Sequence, residues 1–220
     1  MARRHAFAND EFFHIYNRGV DKRIIFDDAE DTQRFLQSMV EFNAVEPVGS
    51  LYQNSFNRLS GLTPKLNEKL VNIIAYCLNP NHFHLILEQL VDGGISEFMK
   101  RLGGGYTSFF NVKNERSGSL FQGTFKSILI DSNEYLLHVS AYVNLNDRVH
   151  QLSGLTPKLA ESRSSWREYT DTSIKGICEK GIILEQFDSI AEYEKFALSS
   201  LESITQKKQD RKDLERLFLE

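Results

Sequence analysis

Asn79-Pro-Asn-His-Phe-His-Leu-Ile-Leu-Glu-Gln89 is the stretch that decides how this chain folds. Successive strand side chains point to opposite sides, so His82 and His84 share one face of a β-strand and Phe83, Leu85 and Leu87 share the other. A second apolar run, Val71–Leu78, lies just upstream, and Asn79-Pro80-Asn81 between the two reads as a hairpin turn. Two imidazoles side by side on a rigid strand are half of a metal site.

Working outward, residues 12–19 read as a first strand ended by Gly19. Residues 28–43 carry Phe35, Met39, Val40 and Phe42 at helical spacing. Residues 45–70, with Pro47, Gly49, Gly61 and Pro64, read as an insertion or long loop. After the hairpin, a helix is expected over Ile95–Leu102, interrupted by Gly103–Gly105 and resuming over Tyr106–Asn114. Phe125–Ile130 reads as a further strand, and Asp131 or Ser132 is a natural N-cap for a helix running to about Asn146. The order β-α-β-β-α-β-α predicts an α+β fold with a ferredoxin-like antiparallel sheet. Residues 1–150 then form one domain, and residues 151–220 a C-terminal helical extension with a charged tail from Gln206.

Bulk composition limits the function. Hydrophobic content of 41% and charged content of 25% are ordinary for a globular chain. Two cysteines without disulfide-like spacing, no signal-like N-terminus and no long apolar run together predict a cytoplasmic protein without a membrane. The net charge of −4 hides a basic stretch, residues 95–126, where Lys100, Arg101, Lys113, Arg116 and Lys126 face only Glu97 and Glu115. These cations are candidate phosphate contacts and Tyr106 a candidate base-stacking ring, joined by Arg18, Asn111 and Gln122. The bland alternative is that most of these side chains serve the core or solvate a helix face.

The missing part of the metal site must come from an element packed on the sheet. The helix after the last strand offers His138, Tyr142 and Asn146 at i, i+4 and i+8. A tyrosine followed by an amide and set over paired histidines has a specific chemical reading. The amide oxygen helps hold a divalent cation that polarises a phosphoryl oxygen, and the phenol oxygen attacks phosphorus. Tyr135 is the rival nucleophile, and Glu88 shares the histidine face.

On these residues the sequence resembles a family. His82-Phe83-His84 resembles the His-hydrophobic-His signature of HUH single-strand DNA endonucleases, and the wider set resembles the REP-associated tyrosine transposases. The matching stretches are His14-Ile-Tyr-Asn-Arg-Gly19, Tyr76–His84, Phe98–Leu102, Gly118–Gly123 and Tyr142–Asn146, collinear over roughly residues 12–148. Thr124 stands where that family often has arginine. The resemblance implies an HUH endonuclease fold with His82, His84 and Asn146 as metal ligands, Tyr142 as nucleophile, and Mg²⁺ or Mn²⁺ as the cofactor. It implies a hairpin-containing single-stranded DNA substrate, a 5′-phosphotyrosine intermediate, and action as a monomer or as a homodimer. Two other readings stay open: a non-catalytic protein that binds the same hairpins, and a zinc hydrolase.

One feature is unrelated to this chemistry. Leu59–Leu66 and Leu152–Leu159 both read Leu-Ser-Gly-Leu-Thr-Pro-Lys-Leu, too short for a structural repeat, and suggest a DNA element inserted twice in one frame.

Overall fold

The computed structural model describes residues 6–46, 68–151 and 163–217, and the two Leu-Ser-Gly-Leu-Thr-Pro-Lys-Leu segments lie outside them. The order is β1 (Phe12–Arg18), α1 (Ala29–Glu41), β2 (Val71–Asn79), β3 (His82–Gln89), α2 (Gly94–Lys113) and β4 (Lys126–Ile130). Next come α3 (Asn133–Asn144), α4 (Asn146–Gln151), β5 (Arg163–Ser164), α5 (Trp166–Thr170), α6 (Gly181–Leu184) and α7 (Ile190–Leu217). The five strands form an antiparallel sheet in the order β4-β1-β3-β2-β5. Its first four strands have the ferredoxin-like arrangement that the hairpin and the element order predict. The fold is mixed α/β, as expected.

Both faces of the sheet are covered, which is why β2 is buried at nearly every position instead of alternating. On one face Phe13, Ile15, Phe83, Leu85 and Leu87 meet Phe35 and Met39 of α1 and Phe98, Leu102 and Tyr106 of α2. On the other, Ile74, Ala75, Cys77 and Ile86 meet Leu136, Val139 and Val143 of α3, with Ile183, Tyr193 and Ala197 beyond. Residues 163–201 therefore share a core with the sheet, and β5 extends it along β2.

Two local expectations change. Helix α2 runs unbroken through the three glycines, because apolar residues on both sides of them are anchored in one core and offset the lost propensity. Gly105 also has a packing reason: a Cβ there would come within 2.6 Å of the Phe42 ring. The helix carrying Tyr142 ends at Asn144, and Asn146 opens the next helix after a bend at Leu145. Ser132 is the N-cap, its hydroxyl accepting from Tyr135 N at 3.3 Å. Where the long loop was expected, Val45 N donates to Glu68 O at 2.8 Å, so the chain leaves and re-enters the fold at one point. Residues 47–67 lie outside those described.

Candidate active site

The strand register assembles the site. On the α3 side of the sheet, Lys126, Tyr16, His84 and Cys77 form one row across β4, β1, β3 and β2. Arg18, His82 and Asn79 form the next row. The Asn79-Pro80-Asn81 turn is fixed from outside, since Pro80 O accepts from Ile25 N and Phe26 N, and Asn81 O accepts from Gly19 N. The turn holds the start of β3, and hence His82, in place.

The rings of His82 and His84 lie 5.1 Å apart and perpendicular. His82 shares a 2.6 Å hydrogen bond from Nδ1 to Asn81 Oδ1 and a 3.2 Å bond from Nε2 to Asn79 Nδ2. Asn79 Nδ2 also donates to Asn146 Oδ1 at 2.9 Å, so one amide spans a histidine nitrogen and the amide oxygen of Asn146. Asn146 is fully buried although it begins a new helix, and its Nδ2 has no hydrogen-bond partner. The bend at Leu145 keeps the Asn146 side chain beside the Tyr142 phenol.

Tyr142 stands edge-on to the imidazoles, its ring 5.6 Å from His84 and 6.1 Å from His14. Burial raises its pKa above the usual value, the neighbouring Asn146 amide opposes this, and Cys77 and Tyr16 push it further up. The phenol is therefore neutral near pH 7. The helix that carries it is anchored from behind. Asn144 Nδ2 donates to Tyr193 Oη at 2.8 Å and Asn144 Oδ1 accepts from Ser165 Oγ at 2.5 Å.

The other candidates separate clearly. His138 points to α7, bonded to Ser200 Oγ at 3.0 Å and packed on Phe196. Glu88 accepts from Asn72 Nδ2 at 2.8 Å on the neighbouring strand. Tyr135 lies in the exposed first turn of α3. Sequence reasoning missed His14 and Tyr16 as parts of the site. His14 bonds to His84 at 2.9 Å, and burial pushes its pKa down to about 4. The Tyr16 ring lies 5.8 Å from His84. Their signal was available, because His14, Tyr16 and Arg18 repeat at the same two-residue spacing as His82 and His84.

Of the proposed DNA contacts, Arg18, Gln122 and Lys126 lie beside the histidines. Arg18 Nε donates to Gln122 Oε1 at 2.5 Å, and Lys126 Nζ sits 5.9 Å from the centre of the Tyr16 ring. Lys100 is exposed beside Glu97 on α2, at a pocket of about 460 Å³ that also meets Asn17, Phe83 and Phe121. The remaining five serve the fold. Tyr106 has no exposed surface and donates to Ile25 O at 2.5 Å, which corrects its reading as a stacking ring. Arg101 binds Glu97 and Ala44 O. Asn111 and Arg116 bind each other and the carbonyls of Gly118 and Ser119. Lys113 lies among Asp28, Glu30 and Asp31.

The sheet thus gathers the imidazoles of His14, His82 and His84, the Tyr142 phenol and the Asn79 and Asn146 amides at one place. Residues 57–146 match the model of the family Y1_Tnp, described as Transposase IS200 like. Over that stretch the chain is similar to IS200-like transposases. No curated protein matches it. Among solved structures it is similar to one described as the REP associates tyrosine transposase bound to a REP hairpin, with 15% identity, 80% of this chain and 88% of that chain covered, and a TM-score of 0.47. Both rows of site residues on β2 and β3, and Tyr142 with Asn146, fall inside the matched IS200-like stretch, whereas His14, Tyr16 and Arg18 precede it. Among the described residues no helix is long and apolar enough to cross a membrane.

Proposed function

We propose that this protein is a metal-dependent single-strand DNA transposase or endonuclease that cleaves and rejoins hairpin-containing DNA through Tyr142. The observation that carries the reading is the placement of the Tyr142 ring against His84, with the Asn146 side chain beside its hydroxyl. His82, His84 and the Asn146 amide oxygen are the donors that would hold Mg²⁺ or Mn²⁺. Their fit is supported by Asn79, whose amide group already bridges a His82 nitrogen and the Asn146 oxygen. When bound, a divalent ion draws charge from a phosphoryl oxygen.

The chain's own residues do the rest. Tyr142 Oη bonds to phosphorus, the bond from phosphorus to the 3′ oxygen breaks, and the phenol proton ends on that oxygen as a free 3′-OH. The strand remains attached through a 5′-phosphotyrosine, and the 3′-OH can reverse the attack with no external energy source. Arg18, Gln122 and Lys126 border the same face and hold the backbone of the single strand. Among the described residues no three His, Cys, Asp or Glu side chains could hold an ion together, which weighs against the zinc hydrolase.

A covalent trapping assay with hairpin DNA tests the proposal. The expected result is an adduct that survives denaturation, requires Mn²⁺ or Mg²⁺, and disappears in Tyr142→Phe. Hairpin binding without any adduct would instead make the protein a non-catalytic binder, and metal-dependent cleavage that persists in Tyr142→Phe would make it a hydrolase.

A further inference from the structure

His14 is a buried histidine one strand away from the paired histidines, and cation binding as described above gives it no task. Its Nε2 lies 2.9 Å from Nδ1 of His84, and the two residues are 7% and 8% exposed. In the register His14 faces Ile86, so it meets His84 along a diagonal, a distance that long side chains span. His82 shows what such a contact does. Its Nδ1 meets Asn81 Oδ1 at 2.6 Å, and a carboxamide oxygen can only accept, so the His82 proton sits on Nδ1. The His82 lone pair is then on Nε2, the nitrogen that faces Asn79 and, through it, Asn146.

We propose that His14 is the positioning residue for His84: His14 Nε2 accepts the His84 Nδ1 proton, which places the His84 lone pair on Nε2, the nitrogen a cation would use. This rests on the metal reading given above. The physical reason is general, since a ligating imidazole needs its outer N–H held by an acceptor that fixes both tautomer and ring orientation. Here the acceptor is a second imidazole in place of a carboxylate or carbonyl. The acceptor's own proton is then on Nδ1. His14 also walls the nucleophile, its ring standing edge-on to Tyr142 at 6.1 Å. It is not itself a ligand, because its Nε2 is engaged by His84 and no described trio of His, Cys, Asp or Glu fits an ion.

The test uses the full chain freed of metal and titrated with Mn²⁺, the free ion being followed by electron paramagnetic resonance. His14→Phe keeps the ring's bulk and removes its nitrogens, while His14→Gln keeps an acceptor oxygen. His14→Phe should weaken Mn²⁺ binding about 10–100-fold and His14→Gln less than about fivefold, the range seen for partners of metal ligands. Long-range proton–nitrogen spectra of the metal-free wild type should show His84 protonated on Nδ1, and a tautomer mixture in His14→Phe. Unchanged Mn²⁺ affinity in a folded His14→Phe overturns the proposal. So does a wild-type His84 protonated on Nε2, a result that needs no variant to fold. If His82→Ala and His84→Ala bind Mn²⁺ as tightly as the wild type, the metal reading fails and takes this one with it. If those two lose the ion and His14→Phe keeps it, the positioning role alone fails.

Discussion

Replacing Lys113 with methionine separates a lysine that serves the fold from one that serves nucleic acid. Its ammonium lies 2.7 Å from Asp28, 3.1 Å from Glu30 and 2.8 Å from Asp31. Burial alone would lower its pKa, but hydrogen bonds to these three carboxylates outweigh that and raise it. Asp28 and Glu30 are more than half exposed, so each pairing is worth about 0–1 kcal/mol. Asp31 is different, because its side chain has no exposed surface. Removing one partner of a buried pair costs about 3–5 kcal/mol. Part of that is offset here, since Asp31 also accepts from Asp27 N at 2.9 Å and sits in the first turn of α1, where the helix dipole favours a carboxylate. The expected loss is about 2–3 kcal/mol, a fall in Tm of about 5–10 °C for a chain of this size. Thermal and urea unfolding measure it, and a double-mutant cycle with Asp31→Asn should return a coupling of at least about 1 kcal/mol. The salt dependence of hairpin binding should not change, because the charge is already matched by acids. A Tm within about 1 °C of wild type, together with a salt slope lowered by about one unit, would refute the assignment.

Three further outcomes follow from the structure. Gly103→Ala and Gly104→Ala meet nothing within 4 Å and should each stabilise the protein by up to about 1 kcal/mol, whereas Gly105→Ala drives a methyl group into Phe42 and should cost about 1–3 kcal/mol, all read by urea unfolding. Burial pushes the Tyr193 phenol up to about 12 against hydrogen bonds to Ser140 and Asn144, and Tyr76, Tyr106 and Tyr169 are raised in the same direction. The unfolded chain therefore loses these protons first above about pH 10, so stability is whole below pH 10 and falls as pH climbs toward 12, by about 2–3 kcal/mol from Tyr193 alone. Absorbance at a phenolate wavelength should then rise together with unfolding, and gradual titration of all the tyrosines in a folded protein would contradict this. Arg18→Met and Lys126→Met should each weaken hairpin binding and lower the salt slope by about one unit with Tm preserved; unchanged affinity at low salt would exclude them from the DNA face.

Why some residues could be read and others not is a matter of the range of the interactions involved. The hairpin was legible because its two apolar runs and its Asn-Pro-Asn turn are local. The break expected at Gly103–Gly105 did not occur, since Phe98, Leu102, Tyr106 and Phe110 are held by a core assembled from distant segments. The basic stretch shows its charges in the sequence but not their partners: Lys113 is neutralised by residues more than eighty positions away. Tyr106 looked as suited to a base as to a core until its hydroxyl was placed on Ile25.

By itself the sequence determined what local pattern can determine: the strand period that puts His82 beside His84, the order of elements that yields this sheet, and the four-residue step from Tyr142 to Asn146. The tertiary structure alone decided which of these side chains meet. Hydrogen-bond register between strands far apart in the chain sets His14 against His84, and a bend at Leu145 returns Asn146 to the phenol. Such contacts depend on backbone pairing and close packing across the whole molecule, and a window of neighbouring residues holds no record of either.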